Sequence, residues 1–271
     1  MKLSASQLQQ FERSPLDWAM KYVEKLKGKT SPAMEKGKVF HAWIEHLVGG
    51  ADKPDDSSLT EYDQGLIESQ ALDFVENNKE ILKPSEGYWQ HEVEFNLSIF
   101  PDFPPFVGFI DLLHIDEENN RYRIFDVKTT GMQIDGTFYG LEEDDLASNI
   151  QMMLYAVSQG QDKALFNGTV GHLQAITIKK FARILDFECR CIEIEFNEEM
   201  YLESMETLFE KTLALMNFKA LYEELGLKGT IEHFGCIEVL AEKKVFGKTN
   251  PYWKIYNGKE TIEEYKQRTG A

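Results

Sequence analysis

Between Val107 and Gly131 the chain reads VGFIDLLHIDEENNRYRIFDVKTTG. Two runs rich in β-branched and aromatic residues, Phe106 to Asp116 and Arg121 to Thr129, flank the polar stretch Glu117, Glu118, Asn119, Asn120. Such a pattern folds back as a β-hairpin. If the turn closes symmetrically around Glu118 and Asn119, Asp116 faces Arg121, and counting back along both strands sets Asp111 directly opposite Asp126. Opposed residues share a face, with Cβ atoms ~4.5 to 5.5 Å apart. Side chains alternate along a strand, so Tyr122, Ile124, Asp126 and Lys128 point one way while Arg123, Phe125 and Val127 point the other. A slip of one residue would place Asp111 across from Phe125 or Val127 and separate the two carboxylates, so the expectation is one of register. Two close carboxylates repel unless a proton or a cation lies between them, and hard oxygen ligands suit magnesium or manganese. Lys128, on the same face, can then orient a water or stabilise charge on a phosphate. The same residues also fit an aspartate pair at a wet sheet edge with Lys128 as counter-ion, and the hairpin alone leaves both readings open.

The rest of the chain bounds the choice. Its 271 residues, 42% of them hydrophobic, are ample for a globular core, and no linker or repeat divides them. The expectation is a single domain over 1–271: a helical entry segment at 1–33, a core at 34–225 with a helical insertion at 49–87, and a tail at 226–271 that packs back on the core. No apolar run approaches the ~20 residues of a membrane span, and the opening MKLSASQLQQFERS lacks the apolar block of a signal peptide, so a cytoplasmic protein without a membrane partner is expected. Three cysteines, Cys189, Cys191 and Cys236, cannot all pair and lack a four-ligand zinc spacing. The net charge of −17 argues against a broad basic surface of the kind that binds duplex DNA through counterion release. It leaves room for a local groove in which divalent cations carry phosphate contacts. Lysines 21, 25, 27, 29, 36 and 38 cluster in sequence, as do Lys179, Lys180 and Arg183; either group is also what a solvated face looks like.

Taken in order, Ser4 caps a short helix with Leu8 and Phe11 inward, and Ser14-Pro15 starts a second carrying Trp18, Ala19, Tyr22, Val23 and Leu26. After a loop at 28–32, Met34, Gly37, His41, Ile44 and Val48 recur at spacings of three and four, which puts His41 on a buried helical face. It is either a hydrogen-bonded core histidine or a further ligand, with small Gly37 leaving room beside it; an imidazole would add some preference for manganese. A helix over Ser58 to Leu82 follows, then a half-buried strand over Glu92 to Ile99 whose Glu92 and Glu94 either lie near the site or, as is commoner for such residues, are solvated. Leu146 to Ser158 is a helix with Leu146, Ile150, Met153, Leu154 and Val157 toward the core. Gln151 and Tyr155 lie one turn apart on its polar seam, where both can reach one ligand or simply face solvent. Gly171 to Lys180 and Ala182 to Phe196 read as strands, with Cys189 and Cys191 on the inward face of Leu185 and Phe187. A helix from Asn197 to about Leu225 completes the core.

This succession, a helix, three strands, a helix and a strand carrying His41, Asp111, Asp126-Val127-Lys128 and Gln151-x-x-x-Tyr155 in that order, resembles the RecB-family exonucleases of the PD-(D/E)XK superfamily. The opening SASQLQQFERSPLDWAMKY resembles the start of that family, and the likeness covers roughly residues 1–225. It implies an α/β fold with the αβββαβ core, a mixed central sheet flanked by helices. It also implies a metal-dependent phosphodiester hydrolase acting on DNA. His41, Asp111, Asp126 and the Val127 carbonyl would hold magnesium or manganese, Lys128 would position the attacking water, and Gln151 and Tyr155 would support substrate binding. The proline that nominally precedes the first aspartate of the superfamily is Ile110 here. Relatives such as the AddB nuclease domain and the CRISPR-associated RecB-like exonucleases join their ends with a four-cysteine iron-sulfur cluster. Here Ser14 stands at the early cysteine position, and Asn250-Pro-Tyr-Trp-Lys-Ile-Tyr256 resembles the C-terminal segment with both cysteines replaced. No cluster is expected, and Trp253 and Tyr256 are expected to pack in its place. The function read from all this is exonucleolytic processing of DNA ends in recombination, repair or phage replication, alone or with a recombination or replication protein. A structure-specific endonuclease with the same site, or a non-cutting module on a nuclease fold that binds DNA or protein, are the alternatives.

Overall fold

The computed structural model describes residues 1–26, 32–49, 51–82, 88–180, 183–245 and 248–270. Lys27, Lys29, residues 28–31 of the expected loop and Ala182 at the start of the last expected strand lie outside the described residues. Contacts divide the chain into two compact units, one of Met1–Lys29, Phe100–Phe106 and Met205–Ala271, the other of Thr30–Ile99 and Val107–Ser204. No described helix is long and apolar enough to cross a membrane.

The second unit is built on a five-stranded sheet in the order β1-β2-β3-β4-β5, formed by Tyr88–Leu97, Phe106–Asp116, Arg121–Gln133, Gly168–Lys180 and Arg183–Phe196. Strands β2 and β3 pair antiparallel from Leu112↔Phe125 to Asp116↔Arg121, the register that a symmetric turn requires. Asp111 and Asp126 lie just beyond the last paired residues, where Asp111 Oδ2 accepts the Val127 amide. Strand β3 then pairs in parallel with β4, Asp126 beside His172, and β4 pairs antiparallel with β5. The sheet is therefore mixed.

Helix α3 (Pro32–Ile44) and helix α4 (Glu61–Asn77) cover one face. Val39, Phe40, Trp43 and Ile44 of α3, with Ile67, Ala71 and Phe74 of α4, enclose Leu112, Phe125, Val127, Leu173 and Ala175. Burial of that apolar area, at ~25 cal/mol per Å², fixes which face of β3 is dry. Helix α6 (Ile150–Lys163) packs against β1, β3 and β4. It begins at Ile150, not Leu146, because the Asn149 side chain accepts the free amides of Gln151 and Met152 and so caps the first turn. Other expectations shift for similar local reasons. The helix expected over Ser58 to Leu82 divides at Asn78, whose side-chain amide donates to the Phe74 carbonyl, and α5 (Lys79–Leu82) follows. Met34 is exposed rather than inward, as are Leu72 and Leu185. Cys191 is exposed and Cys189 only half-buried, because β5 ends the sheet and its outer face is incompletely covered. Lys36 pairs with Asp63 at 2.6 Å and Lys38 lies 4.0 Å from Glu35, so these lysines answer separate acids rather than forming one basic patch.

The first unit brings α1 (Ala5–Arg13) and α2 (Pro15–Tyr22) together with α7 (Glu198–Phe234) and the tail, which carries a short ribbon, β6 (Lys244–Val245) with β7 (Lys248–Thr249), and helices α8 (Trp253–Tyr256) and α9 (Ile262–Thr269). Helix α7 runs past Leu225, interrupted at Gly226, whose φ of 67° suits glycine. Trp18 meets Phe11 and Phe218 edge to face within the unit, and those two rings are tilted on each other. The ends of the chain meet at Asp17, a buried carboxylate. Asn250 donates to both its oxygens at 2.8 and 3.0 Å and to the Glu242 carbonyl, while the Tyr256 hydroxyl donates to Oδ1 at 2.6 Å. Ser14 accepts the Asp17 amide and donates to the Leu240 carbonyl. The positions where the resemblance expects cysteines thus belong to a hydrogen-bonded junction. Tyr256 is central to it, whereas Trp253 is half-buried and packs edge to face with Tyr256.

Candidate metal centre

Asp126 is the hub of the site. Its side chain is 1% exposed, and four side chains converge on it. Lys128, two residues on along the same face of β3, brings its ammonium 2.6 Å from Oδ2. Gln151 of α6 donates to Oδ1 at 2.8 Å, and its amide also reaches the Tyr155 hydroxyl at 2.6 Å; that hydroxyl lies 3.5 Å from Oδ1. His172 of β4 places Nε2 3.6 Å from Oδ2. The Lys128 approach is a charge contact without hydrogen-bond alignment, so Oδ2 is a buried oxygen that accepts no aligned donor.

Asp111 completes the pair. Its Oδ2 accepts the Val127 amide at 2.8 Å and stands 3.6 Å from His41 Nδ1. Burial, and then the negative charge of Asp126, push the Asp111 carboxyl up to about 8, against the opposing pull of the Val127 amide and the Lys128 charge. Burial also pulls His41 down, while Asp126 and the Val127 backbone favour its charged form. Helix α3 can bring His41 this near because Gly37 lies against β3: a Cβ there would stand 3.2 Å from Thr129 Oγ1. Gly37 therefore makes a close approach and does not leave open room beside the histidine.

Two acids join these: Glu45, which the sequence pattern does not single out, and Glu92, for which it leaves a place near the site open. Glu45 begins a π-helical turn, Glu45–Gly49, that continues α3, and it lies four residues after His41. Glu92 takes a left-handed φ of 49° inside β1. That conformation is uncommon for a residue with a Cβ, and here the Glu92 carboxyl meets that of Glu45. Burial first, then Glu45 and Asp126, raise its pKa. Together His41, Glu45, His91, Glu92, Asp111 and Val127 border a cleft with about 10 Å³ of free space, the scale of one water molecule. Glu92 thus takes the place near the site rather than the solvated one.

All seven residues singled out in the sequence are brought together: His41 from α3, Asp111 from β2, Asp126, Val127 and Lys128 from β3, Gln151 and Tyr155 from α6. Tyr155 is buried, and both seam residues turn to Asp126 rather than outward. A model of the PD-(D/E)XK nuclease superfamily matches residues 2–214. The chain belongs to the PD-(D/E)XK nuclease superfamily. Its fold is similar to the crystal structure of a protein from Eubacterium rectale described as "Putative exonuclease", with a TM-score of 0.52 and 13% identity over 81% of each chain. It is more loosely similar to the solved structure of SSO0001, with a TM-score of 0.38 and 15% identity over 79% of this chain and 76% of that one. No curated protein matches the sequence.

Nucleases of the PD-(D/E)XK superfamily generally use divalent metals, and the residues present fit one. Asp126 Oδ2 is the orphaned buried oxygen such an ion satisfies, and carboxylates with a backbone carbonyl and an imidazole are hard, magnesium- and manganese-type donors. Among the described residues no three acids, imidazoles or thiols already stand at coordination spacing. Lys128 and the Val127 amide hold the two aspartates instead. His172, like Glu45, is a residue at this site that the sequence pattern passes over. Its signal is present: β4 is a run of apolar residues interrupted by His172 and Gln174, two positions apart on one face, both 1% exposed. A strand buried on both sides ordinarily reads as a continuous apolar run, so these two stand out; Gln174 donates to the Leu141 carbonyl, and His172 faces Asp126.

Proposed function

We propose that this chain is a DNA exonuclease of the RecB type that hydrolyses phosphodiester bonds with magnesium or manganese. The observation that carries the reading is the convergence of His41, Asp111, Asp126 and Lys128 from three separate elements, with His41 3.6 Å from Asp111, Lys128 2.6 Å from Asp126, and the Asp126 charge felt by both His41 and Asp111. Asp111, Asp126, the Val127 carbonyl and His41 would hold the ion. A divalent cation there lowers the pKa of water and neutralises charge that builds on the scissile phosphate. Lys128, released from Asp126 as that carboxylate is engaged, orients the attacking water and meets phosphate charge. Gln151 and Tyr155 hold Asp126 from the other side and would support substrate binding from the start of α6. The acidic surface confines DNA to this locality, since a net charge of −17 disfavours contact elsewhere. Processing of DNA ends in recombination, repair or phage replication, with or without a protein partner, is the role this activity would serve.

The experiment is incubation of the purified protein with linear, circular and end-blocked DNA in magnesium or manganese, beside Asp126→Ala and Lys128→Ala. Cleavage of linear DNA alone, lost in both variants, is the expected result. Circular DNA cut as fast as linear would make the enzyme an endonuclease. Absence of metal-dependent cleavage from every substrate would end the enzymatic reading, and cleavage that survives both substitutions would move the site elsewhere.

A further inference from the structure

His172 is 1% exposed, and among the described residues neither ring nitrogen has a hydrogen-bond partner. A buried imidazole left unpaired is costly, and a leucine of similar volume would avoid that cost. Its register explains what faces it. Asp126 and His172 are direct neighbours in the parallel ladder of β3 and β4, so their side chains leave the sheet on the same face, and Nε2 ends 3.6 Å from Asp126 Oδ2. That oxygen is itself the one that accepts no aligned donor. An imidazole without an acceptor thus lies beside a carboxylate oxygen whose close neighbour, the Lys128 ammonium at 2.6 Å, is not aligned as a hydrogen-bond donor, and the two are slightly too far apart to bond.

We propose that His172 is a positioning residue for Asp126, donating Nε2–H to Oδ2 so that the carboxylate is held in the orientation that binds the divalent cation. The inference rests on Asp126 being a metal-binding residue. With Gln151 fixing Oδ1 at 2.8 Å and His172 fixing Oδ2, the carboxylate plane is set from both ends, from α6 and from β4. Partners of this kind, which orient a ligating group without touching the ion, are worth about 10- to 100-fold in metal affinity. His172 has no path to substrate, being buried beneath Asp126, so its effect should fall on metal binding and not on DNA binding.

The test compares His172→Leu, His172→Gln and His172→Asn with Asp126→Ala, reading manganese affinity by calorimetry in the absence of DNA. The glutamine amide nitrogen reaches about as far as Nε2, whereas that of asparagine stops near Nδ1. Expected are a weakening of manganese binding by about 10- to 100-fold in His172→Leu and His172→Asn, recovery to within about threefold in His172→Gln, and an unchanged KM for DNA at saturating manganese. Thermal melts of the metal-free variants separate packing from positioning, because a packing role would track stability and not the Gln/Asn contrast. Should His172→Leu fail to fold, the glutamine and asparagine variants still decide the question. Wild-type manganese affinity in His172→Leu or His172→Asn, with affinity lost in Asp126→Ala, would overturn the inference and leave the metal reading intact. Wild-type affinity in Asp126→Ala would overturn both.

Discussion

The replacement Lys128→Met tests how Asp126 is neutralised. Methionine keeps the length and apolar stem of lysine and removes only the charge, leaving a carboxylate that is 1% exposed without its ammonium at 2.6 Å. Breaking a fully buried ion pair from one side costs about 3 to 5 kcal/mol. Lys128 itself is 40% exposed, so water screens part of that interaction, and Gln151 continues to donate to Oδ1. A loss of about 2 kcal/mol is therefore expected in metal-free protein. For a unit of this size that is a fall in Tm of about 4 to 8 °C. Saturating manganese should recover most of the loss, because a cation at Asp126 supplies the missing positive charge, so the metal-induced gain in Tm must be larger in Lys128→Met than in wild type. Cleavage at saturating manganese should nevertheless stay down by about 10² or more, the scale for removal of one charge-stabilising donor. The assay is differential scanning calorimetry in EDTA and in manganese, paired with cleavage rates. Equal stability of variant and wild type in EDTA, with equal metal-induced shifts, would refute the reasoning, since it would mean that the ammonium does not balance Asp126.

Asp111 predicts a pH dependence. Its folded pKa of about 8 lies above its unfolded value, so between about pH 4 and 8 the folded state holds a proton that the unfolded state has released, and the stability of metal-free protein falls as pH rises, by at most ~1.4 kcal/mol per unit; urea melts in EDTA at pH 5 and 8.5 should show this fall in wild type and a weaker one in Asp111→Asn. Asn250→Ala removes three side-chain donations at the buried Asp17 junction and one accepted amide, and should cost about 2 to 4 kcal/mol in chemical denaturation, while manganese affinity stays unchanged. At Gly37 the added Cβ of alanine meets the exposed Thr129 hydroxyl at 3.2 Å, which can rotate away, so Gly37→Ala should bind manganese within about threefold of wild type. Gly37→Leu should displace α3 and lose tenfold or more, on the scale of a misplaced ligand, measured by the same calorimetry.

The hairpin was legible because its information is local. Alternation and a four-residue polar turn define register without reference to the rest of the chain, and so the Asp111 and Asp126 positions could be counted off before any tertiary contact was known. The order of motifs made the superfamily legible as well. Boundaries were less so where a side chain competes with helix propensity: Asn149 and Asn78 each cap the backbone locally, moving the start of α6 and dividing α4 from α5. The exposure of Cys191 and Leu185 followed from β5 lying at the sheet edge, which alternation along a single strand does not reveal.

What the sequence by itself determined, then, is the order of elements, the register of β2 on β3 and the seven residues that meet at the site, because period-two alternation and motif spacing act over a few residues. Tertiary structure alone decided that His172 stands against Asp126, that Glu45 and Glu92 meet beside them, that Tyr155 is buried under the aspartate, and that Asp17 ties the two ends of the chain together. The pairing of β3 with β4 crosses the whole of α6, and the Asp17 junction spans more than two hundred residues. Contacts of that range are selected by the packing of complete faces, which no local pattern encodes.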